Sequence, residues 1–116
     1  MSEKLVEVIT SAMEDIKAHK ITVMDLREIE NSICQFFVIS HGNSNTHVSS
    51  IAQLVEKSVK EVLSEQVFRK EGYRNSEWIL LDFSNVVVHV FQEHVRNFYN
   101  LEALWADAKI TEIEEA

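Results

Sequence analysis

The chain has 116 residues, 46% of them hydrophobic and 26% charged, which is the balance of one globular domain. At this length about two thirds of the surface of the unfolded chain can be buried, so one hydrophobic core needs no disulfide or metal to support it. The formal net charge of −8 excludes nucleic-acid binding through a broad basic surface. It favours a basic protein partner, because opposite charges speed association.

Cysteine content and hydropathy indicate the compartment. The single cysteine, Cys34, cannot form an internal disulfide, which suits a reducing environment. No apolar run approaches the roughly 18 residues that span a bilayer. The first residues of the chain include Glu3, Glu7, Glu14 and Asp15, unlike a signal or transit peptide. We therefore expect a cytoplasmic protein without a membrane segment.

Apolar spacing predicts an N-terminal half in which helices and strands alternate. The pattern from Leu5 to Ile16 predicts an amphipathic helix that covers a sheet. A short strand is predicted over 21–26, and the continuous apolar run 36–40 is typical of a strand in the middle of a sheet. Residues 42–46 form a turn that supplies an N-cap for a second amphipathic helix. This order favours a βαβ-like unit.

Two apolar runs, 78–83 and 86–91, organise the C-terminal half, and only Ser84 and Asn85 separate them. Runs of about six residues joined by two small polar residues predict a β-hairpin. A short charged strand over 67–71 precedes the hairpin, and we expect it near an edge of the sheet.

Two further segments complete the chain. In the first, four apolar residues recur at helical spacing: Phe98, Leu101, Leu104 and Trp105. Asn100 is a candidate helix cap in this segment. Residues 109–116, which contain three glutamates, are predicted to be an acidic and frayed tail. The single domain is therefore expected to span residues 1–108.

The hairpin predicts two different faces, because side chains alternate along a strand. One face carries only apolar side chains: Ile79, Leu81, Phe83, Val86, Val88 and Val90. The other face is mixed and carries Trp78, Leu80, Asp82, Val87, His89 and Phe91. Both faces are too apolar for a sheet with one side in water, so we expect inner strands with at least partial cover on each side. The mixed face is the candidate for function.

The sequence Gly42-x-Ser44, between a strand and a helix, matches parts of two catalytic motifs. A phosphate-binding loop would need more glycine or a lysine. The Gly-Ser motif of nucleotidyltransferases needs a carboxylate pair that holds two metal ions, and no aspartate occurs between Ser44 and Gly72. A Ser-His-Asp set can be drawn with Ser44, Asp82 and either His47 or His89. It lacks the second glycine of a nucleophile elbow. We therefore expect no catalytic centre, no metal site and no cofactor.

Five short motifs follow one another between residues 42 and 105. They are Gly42-x-Ser44-x-x-His47-Val48, Glu71-Gly72, Trp78-Ile79-x-x-Asp82, Val88-His89-Val90-Phe91 and Arg96-x-Phe98-Tyr99-x-Leu101-Glu102-x-Leu104-Trp105. In order and spacing this set resembles the ribosomal silencing factor family (RsfS, also called Iojap). The resemblance covers roughly residues 20–108. Gln35, in place of an aspartate, and Ser84-Asn85, in place of Gly-Asp, depart from the family pattern.

The residues themselves favour a single α/β domain, a mixed sheet of about five strands with helices packed on it. The resemblance adds a nucleotidyltransferase-like topology without the catalytic residues. It also implies a function: binding the large ribosomal subunit through its basic protein uL14, sterically blocking association of the subunits, and so repressing translation under nutrient limitation. A homodimer is expected, with no sequence-specific contact to nucleic acid. The alternatives are a cryptic nucleotidyltransferase-like enzyme and a dimeric scaffold without a ribosomal role.

Partner binding is expected to depend on the motif residues of the hairpin and of the segment that follows it. They are Trp78, Asp82, His89, Arg96, Tyr99, Leu101, Glu102, Leu104 and Trp105. We expect Trp78 and Tyr99 to be the main anchors, since aromatic residues dominate interface hot spots. Tyr99 and Trp105 could equally be core residues, and His89 could be a hydrogen-bonded histidine of the sheet rather than a partner contact.

Overall fold

A mixed β-sheet of six strands organises the fold, and helices pack on it. The computed structural model describes residues 2–114. The helices are α1 (Ser2–Asp15), α2 (Asn45–Leu63), α3 (Glu93–Tyr99) and α4 (Leu101–Leu104). The strands are β1 (His19–Asp25), β2 (Phe36–Gly42), β3 (Arg69–Glu71), β4 (Trp78–Asp82), β5 (Val86–Gln92) and β6 (Lys109–Glu112). They lie in the order β3-β4-β5-β2-β1-β6, with β2 and β5 parallel and the other neighbours antiparallel. The predicted single α/β domain with a mixed sheet is confirmed.

The predicted hairpin of β4 and β5 is confirmed together with its register. Trp78 lies opposite Phe91 across the two strands. The Phe83 N–H donates to the Val86 carbonyl oxygen at 2.9 Å and closes the turn. Ser84 takes a positive φ of 77°, the left-handed backbone that tight hairpin turns use.

The two faces of the sheet are covered to different extents. Helices α1 and α2 lie over one face, here called the helix-covered face, where Ile79 and Leu81 are both 0% exposed. The other face, here called the open face, is covered by residues 26–35 and by the short helices α3 and α4. Phe91 is buried on the open face, whereas Trp78 remains partly exposed. The hairpin therefore has the fully buried apolar side and the partly covered mixed side that its alternation predicts.

Asn100 separates α3 from α4, as a cap at this position predicts. Its φ of 46° is left-handed, and its N–H donates to the Arg96 carbonyl oxygen at 2.8 Å. A left-handed residue at this point ends a helix and redirects the chain. The redirected segment packs Leu101 against the hydrophobic cluster of the open face.

The last strand corrects the prediction of a frayed tail. Lys109–Glu112 pair antiparallel with β1, with Ile110 opposite Met24, and so form a sixth strand where about five were predicted. All four side chains are exposed, so the segment lacks the buried alternation that normally reveals a strand. Pairing with the backbone of β1, rather than burial, holds it in place. The boundary drawn at residue 108 falls between α4 and a strand of the same sheet, and residues 115–116 lie outside the described part of the chain.

Candidate functional site

Trp78, the first residue of β4, lies at the centre of an aromatic cluster on the open face. Its ring stacks on Phe91 with centroids 4.9 Å apart and contacts the Tyr99 ring at 4.7 Å. Phe98 packs edge-on against Tyr99 at 5.1 Å. Phe91 is buried, but Tyr99 is 46% and Phe98 80% exposed. A continuous run of rings thus leads from the core to the surface, and we call Trp78, Phe98 and Tyr99 the aromatic patch.

His89 lies beneath Trp78 and fixes its orientation. The Trp78 Nε1–H donates to His89 Nδ1 at 3.1 Å. Because an indole nitrogen can only donate, Nδ1 is the acceptor and the proton of the neutral imidazole is on Nε2. Burial lowers the pKa of His89 to about 4, so the ring is neutral at pH 7. His89 is only 5% exposed. The alternative of a hydrogen-bonded histidine within the sheet is therefore the one that the structure shows.

Arg96 is buried beneath α3 and joins that helix to three other elements. Its guanidinium donates to Thr22 Oγ1 in β1 at 3.0 Å and to His41 Nδ1 in β2 at 3.0 Å. It also pairs with Glu102 Oε2 in α4 at 2.9 Å. With only 5% of the residue exposed, its donors are directed into the protein. Arg96 and Glu102 thus position α3 and α4 on the open face.

Asp82 lies at the opposite end of β4 from Trp78. The two residues share the open face but are separated by four positions along the strand, a rise of about 13 Å. One Asp82 carboxylate oxygen accepts from the Ser84 N–H at 2.7 Å, and the other lies 3.9 Å from Arg69. This carboxylate stabilises the hairpin turn, and the structure does not bring it to the aromatic patch.

The other predicted site residues divide into inward and outward groups. Leu101 and Trp105 pack against the open-face cluster, and the Trp105 ring meets Phe37 edge-on at 5.7 Å. Leu104 is 72% exposed. Of the nine predicted residues, only Tyr99 and Leu104 are exposed, and Trp78 supports Tyr99 from below.

Phe98 is the residue of the site that sequence reasoning missed. Its place in the helical spacing of residues 98–105 suggested a core position, yet it is 80% exposed. The available signal was the doublet Phe98-Tyr99: adjacent residues on a helix point about 100° apart, so a narrow core contact could not bury both rings.

Acid should destabilise the fold through His41 and His89. Burial lowers the pKa of each imidazole from 6.5 to about 4, and the Arg96 charge adds to the effect at His41. The unfolded chain therefore takes up these protons near pH 6.5, but the folded chain only near pH 4. The resulting stability is fully present above about pH 6.5 and is lost as the pH falls toward about 4. We expect thermal midpoints to fall through this range, and to fall less in His89→Gln. The exposed His94→Gln is the control, and an equally steep loss in all three proteins would contradict the assignment.

The Gly42-x-Ser44 turn caps a helix. Ser44 is the N-cap of α2, and its Oγ accepts the His47 N–H at 3.1 Å. His47 Nδ1 accepts the Asn43 N–H at 2.9 Å, and its Nε2 lies 2.9 Å from the Ile16 carbonyl oxygen. The turn is thus tied to the end of α1 by hydrogen bonds.

Within residues 2–114, no three His, Cys, Asp or Glu side chains group as metal ligands, and no helix is long and apolar enough to cross a membrane.

Comparison with known proteins gives a consistent assignment. The family model described as ribosomal silencing factor during starvation, RsfS, matches residues 1–116. The ribosomal silencing factor RsfS of Halalkalibacterium halodurans is 39% identical over 97% of this chain and 95% of its own length. The RsfS of Bacillus subtilis is 35% identical over 98% of this chain and 96% of its own length.

A solved structure supports the same relationship. A crystal structure of a Chromobacterium violaceum protein, 32% identical, superposes with a TM-score of 0.85 over 98% of this chain and 93% of that chain. The predicted family resemblance, drawn over roughly residues 20–108, is therefore confirmed, and the family model extends it to residues 1–116. This chain therefore belongs to the ribosomal silencing factor (RsfS) family.

Proposed function

We propose that the chain binds the large ribosomal subunit through the aromatic patch and that its partner there is the basic protein uL14. In this proposal the bound chain occupies space needed by the small subunit, so the subunits cannot join and translation falls when nutrients are limiting. The observation that carries the proposal is the exposure of Phe98 and Tyr99 on an acidic member of this family.

The geometry of the aromatic patch suits a binding anchor. Trp78 is held from below by Phe91 and by the His89 hydrogen bond, so the rings above it rest on an ordered base. A pre-ordered aromatic surface loses little conformational entropy on binding. Exposed apolar rings that adjoin one another commonly mark contact sites.

The charge of the C-terminal part of the chain favours a basic partner, although its carboxylates are spread over the molecule: Glu112 lies in β6, at the opposite edge of the sheet from β4 and the aromatic patch. The stretch 93–114 contains five carboxylates: Glu93, Glu102, Asp107, Glu112 and Glu114. It contains two cationic side chains, Arg96 and Lys109, and Arg96 is buried against Glu102. Complementary charge would speed the encounter of this acidic chain with a lysine-rich and arginine-rich ribosomal protein.

Phe98→Ala should weaken binding to isolated large subunits by about thirtyfold, equivalent to about 2 kcal/mol, if its ring is an anchor. Because the ring is 80% exposed, the thermal midpoint should change little. The matched control is Phe68→Ala, which removes an equally exposed ring (80%) from the residue before β3. The Phe68 N–H bonds to the Asp82 carbonyl oxygen, so this ring lies toward the opposite end of β4 from Trp78. Binding is measured by co-sedimentation with large subunits.

Equal losses in the two variants would contradict a specific anchor at the aromatic patch. Purified uL14 then tests the partner. The protein should bind uL14 directly, and Phe98→Ala but not Phe68→Ala should weaken that binding. Binding to large subunits without binding to uL14 would mean that the partner is another component of the subunit. Mixing the subunits in a sucrose gradient with the protein present tests the steric block.

We further propose that the chain forms a homodimer, as the family resemblance implies. Sedimentation equilibrium of the purified chain measures this directly, and a single species near the monomer mass of 13.4 kDa would contradict it.

A further inference from the structure

A groove lined by lysines lies between the second half of α2 and the edge strand β3. Lys57, Lys60 and Lys70 line it, and all three are exposed. Its volume is about 540 Å³. The lining contains these three lysines and one carboxylate, Glu56, so its net charge is positive in a chain whose net charge is −8.

The carboxylate of the groove, Glu56, is already engaged. Its Oε1 accepts from Lys70 Nζ at 3.2 Å, and its Oε2 accepts from the Tyr73 hydroxyl. Within residues 2–114, Lys57 and Lys60 form no ion pair with a carboxylate. The groove therefore has an excess of positive charge, with two ammonium groups available to a ligand.

We infer that the lysine groove, defined by Lys57, Lys60 and Lys70, binds phosphates of ribosomal RNA. The inference rests on the proposed function, because it adds a second contact to binding of the large subunit. Ammonium groups contact the phosphate backbone without reading the base sequence. Contact with two or three phosphates needs only a local cluster of lysines. It is therefore compatible with the net negative charge, which excludes only a broad basic surface.

The position of the lysine groove makes the two contacts compatible. Lys70 in β3 lies opposite Leu81 in β4 and so belongs to the helix-covered side of the sheet. Trp78 is on the open face of the same β4, and neighbouring strands are only about 5 Å apart. The β3–β4 edge thus has the lysines on one side and the aromatic patch on the other. Such an edge can fit between a ribosomal protein and an RNA segment.

The test is the salt dependence of binding to isolated large subunits. The double variant Lys57→Gln/Lys60→Gln should bind more weakly at low salt. The slope of log affinity against log salt concentration should be smaller in magnitude by about 2, roughly one unit for each lysine that contacts a phosphate. The control Lys4→Gln/Lys17→Gln makes the same change in net charge at exposed positions on and just after α1. Its slope should match that of the unmodified protein.

Three results would overturn the inference or separate it from the proposed function. An unchanged slope in Lys57→Gln/Lys60→Gln, or the same decrease in the control, would overturn the phosphate contact while leaving the aromatic patch intact. No binding of the unmodified protein at any salt concentration would instead overturn the proposed function and, with it, the inference.

Crosslinking distinguishes RNA from an acidic ribosomal protein. Gln66 lines the groove and is exposed, so Gln66→Cys can carry a photoreactive group without removing a lysine. The native Cys34 is buried, which makes labelling selective. On large subunits we expect a product that ribonuclease shortens, and Ser11→Cys on α1 should give little of it. A product that only protease shortens would overturn the assignment to RNA.

Discussion

Replacing Arg96 with alanine should lower the free energy of unfolding by about 3–5 kcal/mol, although its side chain is charged and not part of a hydrophobic cluster. The guanidinium donates to Thr22 and His41 and pairs with Glu102, so its loss leaves several polar groups without partners. Removing one member of a buried ion pair is costly because the other charge remains desolvated. Denaturant unfolding of Arg96→Ala measures the loss.

Two further variants distinguish the loss of the Arg96 hydrogen bonds and ion pair from a general effect of removing a positive charge. Arg74→Ala removes an exposed arginine and should change the free energy of unfolding by less than about 0.5 kcal/mol. Arg96→Met/Glu102→Leu removes both partners of the pair and should recover part of the loss, since no unpaired carboxylate is left. A double variant less stable than Arg96→Ala would show that side-chain packing, rather than pairing, dominates at this position.

Leu81→Ala should lower the free energy of unfolding by about 2–5 kcal/mol through the cavity that it leaves under α2. The adjacent Leu80→Ala is the matched control, because the same substitution one position earlier falls on the open face. Leu81 is 0% exposed and Leu80 is partly exposed, so the control should lose less. Denaturant unfolding of both variants checks this expectation, and equal losses would mean that the two faces are equally packed.

The hairpin could be predicted from sequence because its information is local. The alternation from Trp78 to Phe91 specifies the faces, and the two polar residues between the runs specify the register. The family could also be predicted, since its motifs follow one another in a recognisable order and spacing along the chain. The strand β6 could not, because its side chains are all exposed and it pairs with the backbone of β1, a distant part of the chain.

The candidate site was predictable in location but not in the role of each residue. Trp78 and Tyr99 do meet, as their places before and after β5 suggested. Arg96 was expected to contact a partner, but its acceptors in β1 and β2 are more than fifty residues earlier, so no local pattern shows its burial. Similarly, the burial of His89 depends on Phe37 of a neighbouring strand. Side-chain roles that depend on distant strands require the three-dimensional structure.

The parallel pairing of β2 with β5 has a consequence for how the chain reaches its fold. Phe36 pairs with Val86, fifty residues later, whereas the hairpin strands are separated by a two-residue turn. Hairpins close within about 1–10 μs, but a ladder between distant segments must first overcome the entropy of closing a long loop. During synthesis β1, β2 and α2 emerge before β5 exists to pair with β2. The apolar strand β2 therefore stays without one of its two neighbours until residues 86–92 have left the ribosome.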